Sequence, residues 1–326
     1  MATVPDALTE IDALLAKGEV SAAMVLLEKG SEADPAIAFA FASRLLSGSS
    51  LPRDASRARA LLRSAMERGH ADAALFEMAM MASGFGGDPD WPGALALLHR
   101  WSERDDNARR QEELLSAMDL THAGMPRVPP EAICVAKSPD IYRVGGFATP
   151  AECEHLARSV MDILTPSVVY DPHTGEQRRH PIRRSSGAVV GPTREDLVVN
   201  ALARRIAAVT RTDWRAAEPF QVLHYGPGEE YRLHHDTVSS DPNPRACTAI
   251  LYLNEGFAGG ETYFPANGFA AIPRAGDLVF FSNVDEAGQP DPRAAHAGMP
   301  LRQGTKWIAT RWIRRQSIDL ATMAFS

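Results

Sequence analysis

The spacing of apolar residues changes once along this chain, and that change limits the folds open to it. Residues 1–120 place apolar side chains three and four positions apart, which is the spacing of amphipathic helices. From about residue 140 onward the spacing becomes two, with frequent glycine and proline. Short strands with such punctuation are typical of a sandwich or jelly roll. The pattern predicts a helical front half and a β-rich back half.

Prolines mark the boundary between the two halves. Pro126, Pro129 and Pro130 interrupt the helical pattern, and 326 residues are enough for about two domains. The predicted organisation is a helical domain over 1–120, a proline-rich linker over 121–138 and a second domain over 139–326.

The back half is expected to open with two helical stretches and to continue as strands. The helices are predicted near 150–164 and 194–209, and Thr149 followed by Pro150 fits the start of the first. The predicted strands are Phe220–Tyr225, Thr248–Leu253, Glu261–Phe264, Asp277–Phe281 and Lys306–Ile313.

A repeat runs through the front half. The pattern Ala23-x-x-Leu26-Leu27 returns as Ala58-x-x-Leu61-Leu62 and as Ala94-x-x-Leu97-Leu98. Two further pairs keep the same spacing: Gly48 and Gly84, and the candidate N-caps Asp54 and Asp90. Residues 8–118 therefore resemble Sel1-like repeats, which are relatives of the tetratricopeptide family. Such a solenoid offers a concave surface to a peptide or protein partner. An ordinary helical bundle is the alternative.

Composition and charge exclude several classes of protein. The net charge of −7 disfavours a nucleic-acid partner, and three cysteines are too few for a disulfide framework. The N-terminal residues lack the pattern of a signal peptide, and no stretch of about 18 apolar residues predicts a membrane span. A cytoplasmic protein without membrane contact is the expectation.

Histidine and aspartate in the back half predict a metal site. On a strand, alternation places Arg232, His234 and Asp236 on one face, and Tyr231, Leu233 and His235 on the other. His296 is the only histidine after His235, so it is the candidate third ligand. Two imidazoles and one carboxylate form the facial triad of non-haem Fe(II) oxygenases.

Two further residues bear on this site. Lys306 lies ten positions after His296 on the next predicted strand, where a cation can pair with the far carboxylate of 2-oxoglutarate. The motif His-Ala-Gly-Met-Pro, which begins at His296, occurs a second time at 122–126. In that second copy, Ala132 occupies the position that corresponds to Lys306. His122 is therefore interpreted as coincidental.

Residues 138–315 resemble the Fe(II)/2-oxoglutarate-dependent dioxygenases of the prolyl 4-hydroxylase type, which have a double-stranded β-helix core. The resemblance rests on these motifs: Glu218-x-x-Gln221-Val-Leu-x-Tyr225-Gly-x-Gly228-x-x-Tyr231-x-x-His234-x-Asp236, Arg245-x-x-Thr248-x-x-x-Tyr252-Leu253, Gly259-Gly260-Glu261-Thr262-x-Phe264-Pro265, Pro273-x-x-Gly276-Asp277 and His296-Ala-Gly-x-Pro300-x-x-x-Gly304-x-Lys306-Trp307. Thr237 departs from the family, whose members often carry an aromatic residue there.

The resemblance implies a role for each matched residue. It implies His234, Asp236 and His296 as iron ligands and Lys306 as the anchor of the 2-oxoglutarate carboxylate. It places Tyr225 and Tyr252 beside this co-substrate, with Thr248 and Ile250 on the same strand face as Tyr252, which fits a wall of the site. It also aligns residues 167–186 with a mobile substrate loop, and Arg183 and Arg245 with arginines that contact peptide. The implied cofactors are Fe(II), 2-oxoglutarate and O₂, with ascorbate as an optional reductant.

Three functions remain open from the sequence. The favoured one is hydroxylation of a prolyl or other residue in a protein or peptide, with release of succinate and CO₂, the helical repeats delivering the substrate. The second is hydroxylation of a free amino acid or small metabolite. The third is a catalytically silent interaction scaffold, which the complete set of candidate ligands argues against.

Overall fold

The fold is known from a computed structural model that describes residues 3–170, 177–237, 241–272 and 274–319. The helices in these ranges are α1 (Val4–Ala16), α2 (Val20–Ala33), α3 (Pro35–Ser47), α4 (Ala55–Glu67), α5 (Ala71–Ser83), α6 (Trp91–Ser102), α7 (Asp106–Ser116), α8 (Pro150–Arg158) and α9 (Leu197–Thr210). In the described part of the chain, no helix is long and apolar enough to cross a membrane.

The predicted repeat is visible in equivalent helices of the front half. Its alanines, at positions 23, 58 and 94, lie on α2, α4 and α6, and all three are fully buried. Asp54 and Asp90 cap α4 and α6 by accepting a backbone N–H from the first turn. Gly48 and Gly84 end α3 and α5 in the left-handed conformation. The spacing thus reflects repeated helix pairs, whereas membership of the Sel1 family stays a prediction.

The back half is built from antiparallel strands. They are β1 (Ile133–Ala136), β2 (Ile141–Val144), β3 (Thr165–Pro166), β4 (Val168–Tyr170), β5 (Gln177–Arg179), β6 (Ser186–Val189), β7 (Gln221–Tyr225), β8 (Tyr231–His234), β9 (Arg245–Tyr252), β10 (Ala258–Gly259), β11 (Thr262–Phe264), β12 (Phe269–Ala271), β13 (Leu278–Ser282), β14 (His296–Gly298), β15 (Leu301–Gln303) and β16 (Lys306–Arg314). All five predicted strands are confirmed within two or three residues at either end.

Two sheets enclose the core of the β domain. The large sheet has the order β1-β2-β13-β9-β16-β7-β6-β3, and the small sheet has the order β12-β11-β14-β8. One apolar cluster joins Ile250 and Tyr252 of the large sheet to Phe264 of the small sheet. The opposite face of the large sheet packs against α8 and α9, through residues such as Leu156 and Leu202. This jelly-roll layering agrees with the predicted fold class.

The helical region and the β domain share an apolar cluster. Trp91 and Leu98 of α6 pack with Leu197, Val198 and Ala201 of α9, all of them buried. Because α9 also packs on the large sheet, the helical region is attached to the β domain along this helix.

Two details differ from the sequence-based expectation. Residues 133–136, predicted as linker, form β1 at the edge of the large sheet and pair with β2. The helix predicted near 150–164 ends at Arg158. Its start is as predicted, because Thr149 and Glu152 form a capping box with Pro150 in the first turn.

Candidate metal centre

Three side chains meet between β8 and β14 of the small sheet. His234 ends β8 opposite His296, the first residue of β14, and Asp236 follows just beyond β8. One ligand atom from each residue lies within 4.8 Å of the others. The Asp236 carboxylate is 3.5 Å from His234 Nε2 and 3.6 Å from His296 Nε2. The structure thus brings together the three residues that the sequence singled out.

Backbone hydrogen bonds orient both imidazoles. His234 Nδ1 donates to the carbonyl of Arg232 at 2.8 Å, and His296 Nδ1 donates to the carbonyl of Ala294 at 3.0 Å. A proton held at Nδ1 leaves the Nε2 lone pair free. Both Nε2 atoms therefore face the Asp236 carboxylate as potential metal ligands.

A short relay of hydrogen bonds holds the carboxylate of Asp236. The Thr248 hydroxyl donates to Asp236 Oδ2 at 2.6 Å and accepts from Asn283 Nδ2 at 2.8 Å. Burial works against ionisation of Asp236, but His296, His234 and Thr248 outweigh it, so its carboxyl pKa lies below the usual value. Burial also lowers the pKa of His296, although Asp236 opposes that shift. The donor set is an anionic carboxylate beside a neutral imidazole.

This donor set fits a non-haem iron. Two imidazoles and one carboxylate that leave coordination positions open are the ligands of Fe(II) oxygenases, whereas a structural zinc site is closed by four ligands. Among the described residues, this cluster is the one group of histidine, cysteine and carboxylate side chains close enough to hold a metal. His122 is exposed and outside it. His235 is exposed as well.

Lys306 lines the same pocket as the three candidate ligands. Its side chain is 2% exposed, and Nζ donates to the carbonyl of Gly260 at 2.6 Å. The ammonium lies 5.4 Å and 5.5 Å from the rings of Tyr225 and Tyr252. Burial lowers the pKa of Lys306 to about 8. Among described residues it has no ion-pair partner, so it is a buried cation ready for a carboxylate.

The two predicted tyrosines occupy different positions around Lys306. Tyr225 lines the pocket, and burial raises the pKa of its hydroxyl. Tyr252 is fully buried, and its hydroxyl shares a hydrogen bond of 2.5 Å with Thr262, which lines the pocket. Tyr252 therefore reaches the pocket wall through Thr262, whereas Tyr225 forms that wall directly.

The prediction of strand alternation around His234 is wrong at two residues. Tyr231 stacks on His234 with ring centroids 3.5 Å apart and lines the pocket. Arg232 is exposed and pairs with Glu230. The reason is a bulge: β8 spans Tyr231 to His234 opposite only Gly298 to His296. The extra residue shifts the alternation by one place.

The two arginines predicted to contact substrate are held by the protein. Arg183 lies 5.6 Å from the Tyr231 ring, and one of its Nη atoms donates to Gln221 at 3.1 Å. Arg245 binds both oxygens of Glu218 at 2.7 Å and lies 3.9 Å from the ring of Trp312. Both stand beside residues that line the pocket, so their contact with substrate stays a prediction. Residues 171–176 of the predicted substrate loop and residues 238–240 lie outside the described residues.

Several wall residues were not predicted. Besides Tyr231 and Thr262 these are Leu223, Gly298, Ile308, Thr310 and Trp312, whereas Ile250 lines the pocket as expected from its strand face. Alternation along β16 from Lys306 could have indicated Ile308, Thr310 and Trp312, because they share its face. Asn283 has no comparable signal, since its link to Asp236 passes through Thr248. Thr237, the departure noted above, is buried, and its hydroxyl has no hydrogen-bond partner within the described ranges.

A jelly roll with this His-Asp-His cluster and buried lysine defines a 2-oxoglutarate- and iron-dependent dioxygenase. Residues 220–314 match the 2OG-Fe(II) oxygenase superfamily, whose members use Fe(II), 2-oxoglutarate and O₂. Prolyl 4-hydroxylase 1 of Arabidopsis thaliana is 33% identical over 209 residues, which cover 58% of this chain and 73% of that protein. Probable prolyl 4-hydroxylase 6 of the same plant is 32% identical over 204 residues, covering 55% and 70%. The chain belongs to the prolyl 4-hydroxylase family.

Two solved structures are similar to part of this chain. The viral collagen prolyl hydroxylase of Paramecium Bursaria Chlorella virus-1 is 26% identical, with a TM-score of 0.44 over 56% of this chain and 98% of that one. A prolyl-4-hydroxylase from Pseudomonas putida is 25% identical, with a TM-score of 0.40 over 54% and 93%.

Proposed function

We propose that the chain hydroxylates a prolyl residue of a protein or peptide, consuming 2-oxoglutarate and O₂ and releasing succinate and CO₂. One observation carries this proposal: a single pocket holds the three candidate iron ligands and a buried lysine that has no ion-pair partner in the part of the chain that the structure describes. The prolyl substrate is inferred from the relatives, which are named prolyl 4-hydroxylases.

Different residues of the pocket would bind the metal and the co-substrate. His234, Asp236 and His296 would hold Fe(II), and the bonds at both Nδ1 atoms keep the rings turned toward the metal position. Thr248 holds Asp236 in place. Lys306 would pair with the far carboxylate of 2-oxoglutarate, in a buried setting where that attraction is weakly screened.

When bound, the iron supplies the oxidising chemistry that hydroxylates an unactivated C–H bond. The chain itself would position the metal and the co-substrate and exclude water from them. Apolar and aromatic walls, among them Leu223, Ile250 and Tyr231, surround the metal position and limit the access of solvent. Three protein ligands leave room at the metal for the co-substrate.

The test of this proposal is turnover on proline-containing peptides. The full chain, with Fe(II), 2-oxoglutarate and ascorbate, should form succinate and add one oxygen atom to a prolyl residue, as read by mass spectrometry. His234→Ala and Asp236→Ala should abolish both products. The matched control is His235→Ala, which removes an exposed imidazole next to the cluster and should retain activity.

Three other results would contradict this proposal in different ways. Turnover that persists in His234→Ala and Asp236→Ala would contradict the iron site. Hydroxylation of free proline or another metabolite, with no peptide product, would contradict a polypeptide substrate. Binding of zinc without consumption of 2-oxoglutarate would favour the scaffold.

We further infer that the helical region helps to bind a polypeptide substrate. This is supported by a groove between α4, α5 and α6, whose lining includes Arg63, His99 and Arg100. Deleting the region would expose α9 residues that it covers, so point variants are the better test. Arg100→Glu should raise KM for a long polypeptide and leave short peptides unchanged, whereas Arg104→Glu, outside this groove, should change neither. Equal effects on long and short peptides would contradict this role.

A further inference from the structure

A second cavity lies between the helical region and the β domain. Its volume is about 230 Å³. The helical region contributes Ser83, the last residue of α5, together with residues 84–87 and Pro89, which follow that helix. The β domain contributes Trp214, Arg215 and Arg311 among other residues. None of these residues lines the pocket of the candidate metal centre.

Arg311 is the unusual residue of this cavity. Its side chain is 2% exposed, yet Nε and one terminal nitrogen have no hydrogen-bond partner among the described residues. The other terminal nitrogen lies 3.5 Å from the Glu195 carboxylate. A buried charged donor without an acceptor is costly, and such groups are rare in native proteins. The open donors of Arg311 therefore call for an acceptor inside the cavity.

The carboxylate nearest Arg311 is shared with another arginine. Glu195 is shared, because it faces Arg204 as well as Arg311 and also accepts from Asn200. Arg215 adds a third guanidinium, which lies over the Trp214 ring. Asp319 also lines the cavity, so its lining carries two arginines and two carboxylates, while Arg204 lies outside the lining. Because Glu195 is divided between Arg204 and Arg311, a bound anion would supply the acceptor that Arg311 lacks.

The orientation of β16 separates this cavity from the catalytic pocket. Lys306, Thr310 and Trp312 point into the pocket with the metal cluster. Arg311 lies between the last two, and its side chain points to the opposite face. An anion beside Arg311 would therefore not occupy the position proposed for 2-oxoglutarate.

We propose that this cavity binds a small oxyanion, a carboxylate or a phosphate, through Arg311 and Arg215. The ligand bridges the helical region and the β domain, since both line the cavity. The volume suits a small metabolite rather than a polypeptide. This site is independent of the proposed hydroxylase function.

Calorimetry and thermal unfolding of the metal-free full chain test this site. Sodium phosphate and sodium acetate are titrated separately at constant ionic strength with chloride. Saturable binding and a rise in the unfolding midpoint are expected with at least one probe. Phosphate alone would indicate a phosphate-bearing ligand, and acetate alone a carboxylate.

Variants locate the binding. Arg311→Met and Arg215→Ala should each weaken it by about tenfold or more, the loss of one charge-assisted hydrogen bond. Arg215 is exposed, so its variant remains informative if Arg311→Met does not fold. Arg104→Ala is the matched control, because Arg104 also lies over a tryptophan but outside the cavity. Lys306→Met should leave anion binding unchanged.

Three results would overturn the site. The first is the absence of saturable binding of either probe, which would mean that only water accepts the free hydrogen bonds of Arg311. The second is wild-type affinity in Arg215→Ala together with wild-type affinity in any folded Arg311→Met. The third is loss of binding in Lys306→Met, which would move the anion to the catalytic pocket.

Discussion

The hydroxyl of Thr248 offers the sharpest test of how the candidate metal centre is held together. Thr248→Val keeps the shape of the side chain but removes the bond to Asp236 Oδ2 at 2.6 Å and the acceptor of Asn283 Nδ2. Thr248 is fully buried, so water does not readily replace either bond. The carboxylate would then be less firmly oriented toward the metal position.

The size of the effect follows from the lost bond. A hydrogen bond to a charged group contributes about 1.5–3 kcal/mol, and each 1.4 kcal/mol is about a tenfold change in affinity. Fe(II) affinity should therefore fall by roughly 10- to 100-fold, the range seen when a partner of a metal ligand is removed. Anaerobic calorimetry without 2-oxoglutarate measures this affinity directly.

Thr310→Val is the matched control for this substitution. Thr310 is a buried threonine that lines the same pocket, and its hydroxyl has no bond to Asp236. It should bind Fe(II) within about twofold of wild type. Wild-type affinity in Thr248→Val, or an equal loss in Thr310→Val, would refute the idea that the Thr248 hydroxyl positions the carboxylate.

Three further predictions concern stability. Between pH 8 and 10.5 the unfolded chain keeps the Lys306 proton, whereas the folded chain, in which burial lowers the pKa of Lys306, releases it. Without 2-oxoglutarate, the free energy of unfolding of the wild type should therefore rise by up to about 3 kcal/mol relative to Lys306→Met as the pH increases through this window. A difference between the two proteins that does not change with pH in urea titrations would contradict this. Glu77→Ala leaves buried Arg59 unpaired and should lower the free energy of unfolding by about 3–5 kcal/mol in urea titrations. Glu28→Ala, which breaks an exposed pair, should lower it by only about 0–1 kcal/mol. Equal losses in the two variants would contradict a stabilising role of the buried pair. Gly276→Ala would place a Cβ 2.1 Å from the Ala148 carbonyl at a φ of +82°, so it should lower the unfolding midpoint by several degrees, unlike Gly191→Ala, whose Cβ meets nothing within 4 Å.

Local chemistry explains why much of the fold could be predicted. The caps at Thr149, Asp54 and Asp90 depend on a side chain and a backbone N–H within three residues, so the sequence alone contains the whole interaction. The metal cluster could be predicted for a related reason, since His234 and Asp236 are neighbours and His296 is the single later histidine.

The contacts that the sequence did not predict correctly depend on pairing between strands that are distant in the chain. Tyr231 was predicted on the face opposite His234, and it stacks on that ring because β8 bulges against β14. A bulge is set by the partner strand, which alternation within one segment cannot reveal. The contact of Asn283 with Thr248 joins residues 35 positions apart, and it too follows only from the register of β13 with β9.

Strand β16 connects the helical region to the catalytic pocket. Its residues Ala309 and Ile313 are buried in the cluster formed with α8 and α9, while Lys306 and Thr310 face the pocket. A slip of one residue would exchange these two faces, so packing on the helical side fixes the register that keeps Lys306 in place. Because α9 is in turn covered by α6, the helical region contributes to the position of Lys306 without supplying any residue to the candidate metal cluster.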